Sequence, residues 1–167
     1  LIFSVVALLS IVEIPFSYYR TFVIEQQYGF NKMTRAMFFA DLVRKYVLGT
    51  LLGAPLLLSV LWLMEKAGDS WWLYTWLIWI GFNLFLLAVY PNWIAPLFNK
   101  FSPLENDSLK TRIENLLQKC GFESSGLFVM DGSRRSSHGN AYFTGFGKTK
   151  RIVFFDTLLN RLEAEEI

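Results

Sequence analysis

The 167-residue chain is 53% hydrophobic and 17% aromatic, only 18% charged, and carries a formal net charge of +2. That composition excludes an ordinary water-soluble domain and points to a membrane. Its basic residues are few and dispersed, which excludes a nucleic-acid face, since that requires a clustered stripe. The single cysteine, Cys120, excludes an internal disulfide framework or Cys-rich zinc site and is expected to be buried in a helix.

The opening run, Leu1 to Val12, has neither a basic n-region nor a small-residue cleavage site, so it is expected to be a truncated spanning helix rather than a signal peptide. With Ile167 falling inside another helical pattern, the chain reads as an excised piece. In PFSYYRTFVIEQQYGFN, Tyr19, Phe22, Val23 and Gln26 share one helical face before Gly29 ends the pattern, which predicts a juxtamembrane helix. The alternative makes Glu13 or Glu25 an intramembrane functional acid.

Residues 46 to 64 and 71 to 99 contain no Asp, Glu, Lys or Arg. Tyr46 to Met64 meets the roughly 20 apolar residues that a core of about 30 Å demands, and its central Pro55 predicts a kink that a neighbouring helix must satisfy. The second run begins WWLYTW at Trp71 and ends YPNW at Trp93, placing aromatic rings at both interfaces. The short Glu65 to Ser70 link, with Gly68, makes the two spans antiparallel neighbours. Arg20, Lys32, Arg35, Arg44 and Lys45 precede them while the link carries only Lys66, so the region from Lys100 onward should face the cytoplasm.

From Lys100 the composition becomes that of a soluble segment. Leu109, Ile113, Leu116 and Leu117 describe one amphipathic helix, started by Ser108 or Asp107 as cap and closed by Gly121. Gly126 to Met130, Ala141 to Phe146 and Arg151 to Phe155 read as three strands, the last two a hairpin across GKTK, residues 147 to 150; Leu158 to Ile167 begins a further helix. The expected order is α-β-β-β-α.

His138, the sole histidine, has no second histidine with which to build a zinc site, and a catalytic zinc takes three protein ligands. It either donates a hydrogen bond to a substrate or sits in a turn beside Gly139. Neither Asp131 nor Asp156 has spacing that favours a Ser-His-Asp triad. The loop DGSRRSSHG, with Arg134 and Arg135, reads first as solvated and second as a contact for a phosphate or carboxylate. No phosphate-binding glycine loop is present: the TGFGK glycines fall in the hairpin. An edge strand, however, is a recognised acceptor of an extended peptide. In Asn140-Ala141-Tyr142-Phe143 the small Ala141 admits a peptide backbone, and the Asn140 amide can donate and accept. On these residues alone an ordinary core hairpin is the better account of the stretch.

PFSYYRTFVIEQQYGFNKMT (Pro15 to Thr34), IAPLFNKFSPL (Ile94 to Leu104) and RSSHGNAYFTGFGKTKRIVFFDTLL (Arg135 to Leu159) resemble the integral-membrane type I CAAX prenyl endopeptidases and their bacterial relatives. The resemblance covers most of the chain in one order. It implies a membrane α-helical N-terminal part, residues 1-99, with one truncated and two full transmembrane helices, and an α+β start of a zincin-like metalloprotease domain, residues 100-167. It further implies a multi-pass membrane zinc protease, in the endoplasmic reticulum or bacterial inner membrane, that acts on peptide or protein substrates; eukaryotic members remove the last three residues of prenylated C-a-a-X ends. By the same resemblance Asn140, Ala141, Tyr142 and Phe143 form the substrate-binding edge strand, with His138 supporting substrate or loop. The H-E-x-x-H helix is expected after LEAEEI, so residues 1-167 should hold neither zinc nor catalytic residues and be inactive alone. The reading from another class is a non-enzymatic membrane scaffold or transporter subunit with a peptide-binding cytosolic domain.

Overall fold

Apolar runs free of charge build the first half. The structure, a computed structural model, describes residues 1–122, 124–145 and 150–162. Helix α1, Ile2–Tyr19, continues without a break through Pro15 into a π-helical stretch, Arg20–Glu25, so the expected spanning and juxtamembrane helices are one. The face it packs is also shifted from the expected one. Tyr18 and Phe22, not Tyr19 and Val23, set their rings against Phe38 at 5.7 and 5.6 Å, while Tyr19 and Val23 are exposed. Gly29, at φ +73°, then takes the left-handed turn that ends the rod.

Helix α2, Arg35–Lys66, starts where the Thr34 hydroxyl accepts from the Met37 N–H at 3.2 Å, well before the apolar run at Tyr46. Gly68, at φ +56°, and a single 3₁₀ turn reverse the chain into α3, Trp71–Val89, which packs against α2 as an antiparallel neighbour. Three segments, Ser4–Glu25, Arg35–Lys66 and Gly68–Leu97, are long and apolar enough to cross a membrane.

The second half is a four-stranded mixed sheet in the order β1-β2-β4-β3. Strand β1, Phe101–Pro103, was not expected from the sequence, because three residues ending in proline carry no alternation. It pairs antiparallel with β2, Leu127–Met130. Strand β2 runs parallel to β4, Arg151–Phe155, which pairs antiparallel with β3, Ala141–Thr144. The hairpin stands, although residues 146–149 lie outside the described ones; β3 ends at Thr144 rather than Phe146.

Helix α4, Asp107–Lys119, covers one face of this sheet. Its cap is Asn106, whose Oδ1 accepts from the Leu109 N–H at 3.0 Å, rather than Ser108 or Asp107. Gly121, at φ +65°, closes the helix as expected, with the Phe122 N–H donating to the Leu117 carbonyl at 2.9 Å. Leu104, Leu109, Ile113, Leu127 and Phe154 form the buried cluster beneath it. Leu116 and Cys120, both expected inside, are exposed: the helix turns a narrower face to the sheet than its apolar spacing suggests. The last helix, α5, begins earlier than expected, at Asp156–Leu159, and residues 163–167 of the expected helix lie outside the described ones.

The opposite face of the sheet meets the end of α3. Val153, Tyr142 and Thr144 lie against Tyr90, Pro91 and Ala95, and Val153 is only 1% exposed. The sheet is therefore held between α4 and the exit of a membrane helix.

Candidate functional site

Strand β3 is an edge: among the described residues only β4 pairs with it. The Phe155 N–H donates to the Asn140 carbonyl at 2.9 Å, which fixes the alternation of the ladder. Tyr142 main-chain groups then face Val153, and those of Ala141 and Phe143 face away from the sheet. Ala141 is exposed and Phe143 is 76% exposed, so nothing in the described structure covers that side. The Ala141 N–H is not idle; the Asn140 side-chain Oδ1 accepts from it at 2.9 Å.

Alternation splits the side chains. Ala141 and Phe143 join Leu116, Leu117, Phe122 and Ile152 around an open apolar groove of about 370 Å³ between β3 and α4. Tyr142 points the other way, its hydroxyl toward the Met130 sulfur at 3.9 Å and its ring edge-on to Phe155. Burial pushes the Tyr142 phenol above its ordinary pKa; Tyr90 adds to the rise and Arg151 opposes it.

The loop that delivers β3, residues 131–140, exposes Ser133, Arg134, His138, Gly139 and Asn140 but is fastened at several points. Arg135 Nε and a terminal nitrogen both donate to Asp41 Oδ2 of α2, at 3.0 and 2.8 Å, and the other terminal nitrogen donates to Asn99 Oδ1 at 2.7 Å. Its partner is the Asp41 carboxylate, a contact within the chain. Backbone bonds from Lys32 N–H to Arg135 C=O at 3.0 Å and from Ser137 N–H to Phe30 C=O at 2.9 Å make a short antiparallel ladder with the α1–α2 connection. At the other end Asp156 accepts from the Ser133 N–H at 2.8 Å and from the Ser133 hydroxyl, and the Thr157 hydroxyl donates to the His138 carbonyl at 2.7 Å.

The His138 ring lies stacked on Phe30, centroids 4.1 Å apart, three residues before β3. The ring thus links the loop to the α1–α2 connection while the residue stays exposed, and no acidic group pairs with it among the described residues. Glu13 and Glu25, the candidate intramembrane acids, make separate ion pairs with Lys45 and Arg20, each at 3.6 Å. Among the described residues no three His, Cys, Asp or Glu side chains converge as a zinc site would require.

Sequence reasoning missed Asp41. It lies 94 residues from Arg135, so no spacing rule connects them. A signal did exist: Asp41 is the sole acidic residue between Glu25 and Glu65, at the mouth of a membrane helix where an unpaired carboxylate is costly. The three stretches that carried the family resemblance meet here, through Phe30 to Lys32, Asn99, and Arg135 to His138.

The description "CAAX prenyl protease N-terminal, five membrane helices" matches residues 1–100, and "Peptidase family M48" matches residues 103–167. The CAAX prenyl protease 1 homolog of Arabidopsis thaliana is 43% identical over 157 residues, covering 94% of this chain and 37% of that protein. The probable CAAX prenyl protease 1 of Schizosaccharomyces pombe is 46% identical over 158 residues, covering 94% of this chain and 33% of its own. The crystal structure of S. mikatae Ste24p matches with a TM-score of 0.88 at 39% identity, over 96% of this chain and 37% of that one. That likeness spans both halves, so the expected membrane-helical part followed by an α+β segment is the fold. The chain covers about a third of the length of these relatives.

Proposed function

This chain belongs to the CAAX prenyl protease family of M48 peptidases, and on that premise we propose that it is the N-terminal part of an integral-membrane zinc endopeptidase whose β3 edge receives the peptide to be cut. The observation that carries the reading is the edge itself: Ala141 and Phe143 turn their main-chain groups away from β4. A peptide laid along β3 gains strand hydrogen bonds there. As it arrives, one of its carbonyls replaces Asn140 Oδ1 as acceptor for the Ala141 N–H, and the Asn140 amide is released to bond the peptide backbone in turn. Tyr142 and His138 take the supporting part, Tyr142 by anchoring the strand to the sheet's inner face and His138 by holding the entry loop on Phe30.

The finer features belong to the same reading. Residues 1-99 form the membrane unit and residues 100-167 the beginning of the protease unit, which faces the cytoplasm of the endoplasmic reticulum or of a bacterial inner membrane. Zinc is the cofactor of the longer protein, held by residues outside these 167, so this stretch alone is inactive and acts by positioning. The substrate is a peptide or protein end, with prenylated C-termini as one class. The names of the relatives favour this over a non-enzymatic scaffold or transporter subunit.

The test is Asn140→Ala in the full-length protein. Turnover of a peptide substrate should fall roughly tenfold, the size of about 1.4 kcal/mol of lost hydrogen bonding, with zinc content unchanged. Loss of zinc with normal turnover per bound metal would overturn the positioning role.

A further inference from the structure

A second concave site lies at the opposite end of the entry loop. Ala40, Arg44, Pro96, Lys100, Arg134 and Arg135 line a cavity of about 480 Å³ between the first turns of α2, the segment after α3 and the loop. Its walls come from three stretches far apart in sequence, so their meeting is a property of the fold. Four of those side chains are cationic. Asp41, which holds Arg44 and Arg135, and Asp131, which holds Arg134, are the only carboxylates paired with them among the described residues. The Lys100 ammonium has no ion-pair partner there, so positive charge is in excess. Arg44 and Arg134 each keep about half their side-chain surface open beside those pairs.

The level of the cavity identifies what fills it. The uncharged run of α2 begins at Tyr46, one residue after Lys45, and the uncharged run of α3 ends at Asn99, one residue before Lys100. Trp93, 75% exposed, and Tyr90, also exposed, close the apolar stretch of α3 at the depth where aromatic rings mark the interface. Arg44 and Lys100 therefore stand just outside the hydrocarbon, where phospholipid headgroups lie. Basic pockets between membrane helices at that depth take anionic headgroups.

We propose that this cavity is a binding site for the phosphate of an anionic phospholipid headgroup, contacted by Arg44, Lys100 and Arg134. Arg135 remains on Asp41 and Asn99 and forms the floor. A bound headgroup then bridges the start of α2 to the loop that leads to β3, adding a lipid-dependent brace between the two halves.

Lys100 is the residue to change. Its structural work is done by its backbone, whose N–H donates to Asp131 Oδ1 at 2.7 Å and whose carbonyl accepts from the Asp131 N–H at 3.2 Å, so its side chain is dispensable for the fold. Full-length protein in a neutral detergent is titrated with dioctanoyl phosphatidylserine, dioctanoyl phosphatidylcholine or inorganic phosphate while thermal unfolding is followed. Phosphatidylserine should raise the Tm saturably and phosphatidylcholine should not. Lys100→Gln should weaken the apparent affinity about fivefold, the size of one basic residue beside an anionic lipid, and Lys100→Arg should restore it. An equal response to phosphatidylcholine, inorganic phosphate as effective as the lipid, or an unchanged affinity in Lys100→Gln would each overturn the site. Should Lys100→Gln fail to fold, Arg134→Gln provides the same reading.

Discussion

The helical half and the sheet half solve the burial problem in opposite ways. Trp62, Trp72, Trp76 and Trp93 lie outward and more than half exposed, and only Phe38, Leu63 and Ala95 are buried hydrophobics among the described residues before Lys100. The sheet half, with far fewer apolar residues, buries Leu104, Leu109, Ile113, Leu127, Met130, Val153 and Phe154. In lipid an outward apolar side chain costs nothing, so association of α2 with α3 rests on packing and hydrogen bonds. In water the same side chain must go inside, and the sheet needs a small dry core on each face. The composition that excluded a soluble domain thus says little about how tightly the molecule is packed.

The largest expected effect breaks this comparison most directly. Phe154→Ala in full-length protein should cost about 3–5 kcal/mol, because it opens a cavity in the cluster under α4. Trp76→Ala, a larger side chain that is more than half exposed, should stay within about 0.5 kcal/mol. Thermal unfolding in one detergent compares the two. Equal losses would mean that the helical half has a packed core of its own that its outward tryptophans reach.

The same contrast governs what could be read from the sequence. The spans were legible because uninterrupted apolar runs are a one-dimensional signal, and the hairpin and β4 because β-branched and aromatic residues cluster there. Boundaries failed where a local pattern met tertiary contact: α1 runs on past Val12 and through Pro15 where two helices had been expected, and α4 leaves Leu116 and Cys120 outside. Strand β1 was invisible because it exists only by pairing with β2. At the candidate site, Ala141's place on an edge strand could be anticipated, whereas the capping of its N–H by Asn140 and the anchoring of the loop by Asp41 could not. Contacts between the halves leave no periodicity in either.

One such contact is the seam itself, and testing it sharpens the comparison. The Arg135 and Asp41 side chains are each less than one-fifth exposed, so removing one partner strands the other in a poorly hydrated place. Asp41→Ala should destabilise by about 1–3 kcal/mol, and a double-mutant cycle with Arg135→Ala should return a coupling within the same range. Proteolysis of the 131–140 loop should accelerate in the single variants. A coupling indistinguishable from zero would mean that the halves are held together by the Phe30 to Lys32 ladder and the packing of the sheet on the end of α3, without this ion pair.

The smallest effect probes whether the other side of the seam is dry. Tyr142 sits where the sheet meets Tyr90 and Pro91 at the end of α3, and burial raises its pKa above the unfolded value of about 10. The folded state therefore holds the phenolic proton more tightly than the unfolded state does. Stability from this group is complete below pH about 10 and declines as pH rises from there through the folded value, because the unfolded chain gains the anion first. Lysines titrate in the same range, so the quantity to follow is the difference between wild type and Tyr142→Phe across pH 9 to 11, with unfolding monitored by denaturant (roughly the Tyr and Lys titration range). The wild type should lose stability faster than the variant above pH 10. Parallel profiles would mean that water reaches the phenol in both states and that the sheet rests on α3 across a hydrated gap rather than a packed one.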